Sequence, residues 1–322
     1  MMSEPVVIWG VFGLLVVLML ALDLGVLGGR DKIIGIKEAL VWSAVWVVVA
    51  LVFNIGVYYF KGAEMGLNFL AGYLIERALS LDNIFVFLVI FSYFGVSPSH
   101  QYKVIFWGII GALVLRAIFI AAGIALIAKF HWIIYVFGAL LVWTGIKMAM
   151  GKGEEIDLEA NPVVRLCRRF IPLTPGYEGD NFFVRREGKR LATPLFVVLL
   201  VVSVMDVVFA VDSVPAVFAI TLDPFIVFSS NVFAVLGLRA LYFALAGLMQ
   251  LFHYLHYGLA LILVFVGVKM LLTYFEIHIP VVAALGVLAL ILAGSVIASM
   301  IFPQPAPPDP VHQPGDQAKA DL

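Results

Sequence analysis

The sequence predicts an all-α fold, a polytopic membrane helix bundle of about nine transmembrane helices with an inverted three-plus-three helix repeat. Three observations carry that prediction: an extremely apolar composition, nine runs long enough to cross hydrocarbon, and two matched acidic motifs inside those runs. The 322 residues are 63% hydrophobic with a mean hydropathy of +1.09, and only 13% are charged, about half the ~25% share of an ordinary soluble domain. Runs near or above the ~20 residues that span a bilayer lie at Val6 to Leu27, Ala39 to Phe60, Leu67 to Phe94, Val104 to Ala128 and Trp132 to Met150. After a polar gap four more follow, at Leu191 to Thr221, Phe225 to Leu251, Leu255 to Phe275 and Ile279 to Phe302. The narrowest division, between the fourth and fifth, is Lys129-Phe130-His131.

The first run lacks a basic leader and exceeds the roughly 7 to 15 residues of a signal-peptide core, so it reads as a retained helix. With the N-terminus outside, the inward loops hold Arg30, Lys32, Lys37, Lys103, Lys152, Arg165, Arg168, Arg169, Arg185, Arg186, Lys189 and Arg190. The outward loops then hold only Lys61 and Lys129. This bias sets orientation and places the C-terminus in the cytoplasm, across the cytoplasmic (inner) membrane. It also explains the basic residues without nucleic acid, for which nothing in the chain argues. The single cysteine, Cys167, excludes an intrachain disulfide. Residues 1–302 form one transmembrane domain, and the Pro-rich tail 303–322 is expected to be disordered. In the loop 151–190, Phe182 to Arg190 alternates apolar and basic residues about Glu187-Gly188, a pattern expected to form a small cytoplasmic hairpin.

Glu76, five residues, then Asp82-Asn83-Ile84 is echoed by Asp206, five residues, then Asp212-Ser213-Val214. Two landmarks follow in the same order in each half: Leu113-Val114-Leu115-Arg116-Ala117 with Leu236-Gly237-Leu238-Arg239-Ala240, and Gly145-Ile146-Lys147-Met148 with Gly267-Val268-Lys269-Met270. Helices three to five (67–150) therefore resemble helices six to eight (191–275). Three helices per unit is an odd number, so the second copy enters from the opposite side, as in secondary transporters whose substrate sites lie where the repeats meet.

An Asp at the bilayer centre costs roughly 2.5 to 3.5 kcal/mol on insertion scales, so such residues are functional candidates. The inversion places Asp206 at the depth of Asp82 and Asp212 at that of Glu76, a two-tier carboxylate cage for a cation. Six residues turn a regular helix by about 600°, which leaves the two acids of one helix roughly 120° apart. Pro215 is therefore expected to kink or unwind helix six beside Asp212. Asn83 and Ser213 support the cage, and Arg116 and Arg239 offset two of its four charges, leaving what one divalent cation neutralises. Like charges raise one another's pKa, so protons are the expected counter-substrate. Oxygen ligands favour magnesium, calcium or manganese, and the residues do not choose among them.

The competing reading is that these acids only pair with the two arginines to hold helices together. Lys147 and Lys269 read as snorkelling anchors, and His253 and His256, at i, i+3, as interfacial residues between helices seven and eight. Asp23 and Asn54 either guard an access route or are solvated at helix ends. No nucleophile, haem pair or nucleotide motif marks an enzyme, and no resident cofactor is expected.

The strings Glu76-Arg77-Ala78-Leu79-Ser80-Leu81-Asp82-Asn83-Ile84-Phe85 and Asp212-Ser213-Val214-Pro215-Ala216, with Gly188-Lys189-Arg190 ahead of Thr193-Pro194-Leu195-Phe196, resemble the TerC family, its Alx-like branch most closely. The resemblance runs from Leu22 to Phe302. It implies a transporter-like fold related to the LysE-type exporters and a role in manganese homeostasis, usually efflux. The acidic positions tied to that activity correspond to Glu76, Asp82, Asp206 and Asp212. The family name refers to tellurium resistance, but an oxyanion would meet like charge in a carboxylate cage. The alternative in another class is a membrane scaffold or stress-resistance factor acting on metals indirectly.

Overall fold

The computed structural model describes residues 4–27, 35–150, 171–186, 189–246, 254–277 and 279–301, with only the backbone described at 4–7, 24–27, 82 and 246. Cys167, His253, the first part of the central loop and the tail lie outside these residues. The helices are α1 (Glu4–Leu27), α2 (Ile36–Lys61), α3 (Ala63–Tyr93), α4 (Pro98–Lys129) and α5 (Ile133–Met150). After a hairpin of β1 (Phe183–Arg186) and β2 (Lys189–Ala192) come α6 (Pro194–Phe218), α7 (Pro224–Leu236), α8 (Leu238–Ala246), α9 (Leu255–Leu272) and α10 (Val281–Ile301). The chain is an all-α membrane helix bundle. The sequence reads nine spans; among the described residues six helices are long and apolar enough to cross, seven if α7 and α8, bent by 40° at Gly237, count as one. The 31-residue α3 is not among them, because Glu64, Glu76, Arg77 and Asp82 dilute its apolar length.

Local chemistry explains the boundaries. Gly62 joins α2 to α3 alone, at φ +95°, a conformation that an L side chain resists. Helices α4, α6 and α7 start on Pro98, Pro194 and Pro224, where the missing N–H is not needed. Asp223 caps α7 by accepting from the Ile226 N–H at 2.9 Å. The sixth helix starts three residues after the expected Leu191 because that stretch belongs to β2. The expected hairpin is present, pairing Phe183 with Ala192 through Arg186 with Lys189. The segment before it docks on the α3–α4 turn: the Tyr177 hydroxyl donates to the Phe94 carbonyl at 2.7 Å, and His100 meets Gly179 O at 3.0 Å.

The expectation of a break in the sixth helix fails. Helix α6 runs unbroken through Pro215 to Phe218. Pro215 sits in the last turn, where few helical bonds remain to lose, and residues 213–218 are all buried against neighbours. The interruption falls in the seventh span instead. A Cβ at Gly237 would lie 2.7 Å from Arg77 Nη1, and Arg77 donates to the Ala234 carbonyl at 3.1 Å, satisfying an acceptor that the helix end releases.

The core runs along α3 and α7, the latter buried from Phe225 to Val227 and again over 229–236. Helices α5 and α9 cross antiparallel at small residues: a Cβ on Gly267 would lie 2.7 Å from the Gly138 carbonyl oxygen, and one on Gly145 the same distance from that of Ala260. The periphery is apolar outward, with Val17, Val41, Val52 and Leu290 more than half exposed. Such a surface is untenable in water and ordinary in lipid. Tyr59, Phe60, Trp132, Tyr274 and Phe275 stand exposed near helix ends, as interfacial aromatics do.

Candidate functional site

Four helices meet at one guanidinium. Arg116 of α4 is 1% exposed, and around it lie Glu76 of α3, Asp206 and Ser213 of α6 and Asn231 of α7, at 0%, 6%, 1% and 1%. Arg116 Nη1 donates to Glu76 Oε2 and, at 2.6 Å, to Asn231 Oδ1; those two acceptors use both of its hydrogens. The Ser213 hydroxyl lies at 3.5 Å from the same nitrogen, and Nη2 reaches Asp206 Oδ1 at 3.4 Å. Asn231 closes the network by donating to Glu76 Oε1 at 3.0 Å. Asp206 Oδ2 and Arg116 Nε are buried without a partner. This centre holds two acids and one base.

A cavity of about 630 Å³ lies beside the centre, lined by Asn83, Thr144, Lys147, Asp212 and His256 among apolar residues. The Thr144 hydroxyl donates to Asp212 Oδ1 at 3.1 Å. On α6, Ser213 faces Arg116 while the preceding Asp212 faces the cavity. On α3, Glu76, Ser80 and Asn83 follow i, i+4, i+7 spacing and so share one face, giving a polar line from the buried centre to the cavity. Ser80 is fully buried with its hydroxyl unpartnered.

Of the residues the sequence singles out, Glu76, Asp206, Arg116 and Ser213 meet at this centre, but not in the expected tiers. Asp206, expected level with Asp82, shares the guanidinium with Glu76, and Asp212, expected level with Glu76, faces the cavity. Asp212 and Asn83 stand at the cavity, and Asp212 and Asp206 point to different sides as helix geometry requires. The Asp82 side chain lies outside the described residues. Among the described residues, no three His, Cys, Asp or Glu side chains form a group that could hold a metal ion.

Residues 61–306 match the Integral membrane protein TerC family. The chain belongs to the TerC family. It is 50% identical over 300 residues to the "Uncharacterized membrane protein STKORF319" of Myxococcus xanthus, covering 93% of this chain and 94% of the relative. It is 47% identical over 299 residues to proteins named "Putative membrane-bound redox modulator Alx" from Salmonella typhi and Escherichia coli (strain K12), covering 90% of this chain and 92% and 93% of theirs. No solved structure matches. The TerC-family chain is thus a membrane-bound, multi-pass protein.

Arg239 requires a correction. It does not offset the four motif acids. In this TerC-family chain it pairs with Asp23 of α1, at 2.9 Å from Oδ2, donates to the Asp23 backbone carbonyl, and lies 4.4 Å over the Tyr102 ring. Asp23 is 2% exposed, which rules out solvation at a helix end. Its counterion comes from outside the repeated units, where a repeat cannot point. Lys269 is not a snorkelling anchor either: its ammonium donates to Ala219 O at 3.0 Å, capping the C-terminus of α6. His256, expected between helices seven and eight, instead bridges α9 to α5, donating through Nε2 to Met148 O at 2.7 Å.

Asn231, Thr144 and Ser80 are the polar residues that motif reasoning passes over. Asn231 had a signal, since Ser229-Ser230-Asn231 is a polar triplet inside an otherwise apolar run. Thr144 had none, because a lone threonine is ordinary in a membrane helix.

Proposed function

We propose that this TerC-family protein transports a divalent metal cation across the cytoplasmic membrane by alternating access, with manganese efflux as its activity and protons as the counter-substrate. The observation that carries the reading is the acid excess at the bundle centre: Glu76 and Asp206 share one Arg116, and Asp206 keeps an unpartnered buried oxygen. A buried structural ion pair needs one charge of each sign, and surplus intramembrane carboxylate marks an ion pathway. Glu, Asp, Asn, Ser and Thr oxygens are the donor set for a hard cation. Choice of manganese and outward direction rest on the family resemblance. In this reading the cargo enters at the cavity of Asp212 and Asn83, with Asp82 on the same stretch of α3. It then passes to Glu76 and Asp206, with the N-terminus outside and the C-terminus in the cytoplasm. No catalytic role and no resident cofactor is proposed.

The test is manganese flux in proteoliposomes with and without a pH gradient, comparing the native chain with Asp82→Asn, Asp206→Asn and Asp212→Asn. Gradient-dependent flux in the native protein that disappears in the variants is the expected result. A second reading, a membrane scaffold or stress-resistance factor affecting metals indirectly, draws on the way Arg116 ties four helices together. It also sits closer to the redox wording carried by the Alx relatives. Absence of flux from well-folded native protein would decide for it.

A further inference from the structure

We propose that Arg116 is a tethered stand-in for the transported cation, occupying the buried site when cargo is absent and leaving it when cargo arrives. The proposal rests on the transporter reading above and adds how the empty carrier is held together. Its geometry is that of an occupied cation site. One cationic group is surrounded by oxygens of Glu76, Asp206, Asn231 and Ser213, delivered by three different helices. These are the oxygen types that a hard divalent cation takes.

The contacts are also those of an occupant that can be displaced. A committed Arg–carboxylate bridge is commonly bidentate, two parallel N–H···O bonds to one acid. Here each acid receives a single Nη group, and the contact to Asp206 is long at 3.4 Å. Both sides hold unspent capacity, since Arg116 Nε and Asp206 Oδ2 are buried and unpartnered; the Arg239 pair leaves such atoms too, but only here does a second acid stand ready for a metal. A metal ion could use the free Asp206 oxygen at once, whereas the guanidinium does not. Asn231 is suited to both states because its carbonyl oxygen serves a cation and its amide nitrogen holds Glu76 in place.

A carrier working by alternating access must cross in two forms, loaded and empty. In the metal-free form a counter-transported proton neutralises one carboxylate, the other would stay charged without a partner, and the tethered guanidinium supplies that counter-charge. Neutralising Arg116 should therefore separate two activities that a structural role would keep together. Metal-for-metal exchange needs only the loaded form to cross; net efflux needs the empty form as well.

The experiment uses proteoliposomes loaded with radiolabelled manganese, assayed with and without unlabelled manganese outside. Folding is followed by gel filtration and thermal midpoint. For Arg116→Gln the expected result is net efflux reduced at least about tenfold while exchange stays within about twofold of native. Loss of both activities in equal measure from folded Arg116→Gln protein overturns the proposal, as does retention of both. If the glutamine variant does not fold, Arg116→Lys decides. A point charge without the fork should raise the ratio of exchange to net efflux, and an unchanged ratio overturns the proposal. Native protein that moves no manganese in either mode would instead overturn the transporter reading, so the two failures are distinct.

Discussion

Arg116 and Arg239 sit in the same short sequence, Leu-x-Leu-Arg-Ala, and both are almost fully buried, yet their surroundings differ in kind. Arg239 has one acid, Asp23, with a backbone carbonyl and an aromatic face to complete its environment. Arg116 has two acids, an amide and a hydroxyl. Each centre leaves one acid oxygen and part of its guanidinium without a partner, so the difference lies in the count of charges. The first is a balanced pair that fastens α1 to α8. The second is unbalanced, and imbalance of charge in a low-dielectric interior persists only where something else supplies the missing charge. In the proposed transporter, what separates a fastening from a working site is the ratio of acids to bases, not the presence of buried charge.

The largest loss of stability is expected from breaking the balanced pair. Asp23→Ala leaves Arg239 buried without its carboxylate, a change that costs about 3 to 5 kcal/mol in comparable interiors. Thermal unfolding in detergent should fall steeply, while manganese flux per folded molecule should stay near native. Selective loss of flux from folded Asp23→Ala protein would show that Arg239 is not a fastening and would erase the contrast between the two arginines.

A smaller loss is expected where the two sequence units meet. Gly267→Leu forces a branched side chain against the Gly138 carbonyl and Val142, which approach a Cβ position to 2.7 and 2.8 Å. Overpacking of this kind costs about 1 to 3 kcal/mol. The thermal midpoint of Gly267→Leu should fall less than that of Asp23→Ala. An unchanged midpoint would mean that the α5–α9 crossing is loose and places neither arginine. Below it comes Thr144→Val, which removes the hydroxyl donating to Asp212. One hydrogen bond is worth about 1 kcal/mol, so the midpoint should shift slightly. The manganese concentration for half-maximal flux should change several-fold, and no change would remove Asp212 from the entry path.

The difference between the two regions also marks how far the sequence can be read. Apolar runs placed the helices because lipid demands length and hydrophobicity from each span alone. Phe182 to Arg190 revealed its hairpin for a similarly local reason, alternation of apolar and basic residues about Glu187-Gly188 in the sequence. The repeated motif singled out Glu76, Asp206, Ser213 and Arg116 but mispaired the acids, because inversion sets Asp206 level with Asp82 whereas Arg116 holds it together with Glu76. It misassigned Arg239 because the partner, Asp23, lies 216 residues away in a helix outside the repeat. It missed Asn231 because a contact between α3 and α7 leaves no spacing in either helix. Pro215 misled for a different reason: a proline's cost depends on its distance from the helix end, and α6 ends only three residues later.

The smallest change in stability should accompany a complete change in function. Glu76→Gln keeps an amide oxygen for Arg116 but sets its NH2 against the donating amide of Asn231, losing that hydrogen bond, and it turns the Arg116 centre into one acid facing one base, the arrangement Arg239 already has. Because the shed surplus charge offsets the loss of one hydrogen bond, the thermal midpoint should move by less than the equivalent of about 1 kcal/mol. Manganese flux should nevertheless disappear, since the charge that attracts a cation has gone. Flux persisting in folded Glu76→Gln protein would make the second acid incidental and reduce the Arg116 centre to a fastening like its counterpart. Flux lost together with a midpoint fall as deep as that of Asp23→Ala would give Glu76 a structural role as large as its functional one. Only a stable, silent variant separates the two arginines in the way their partners do.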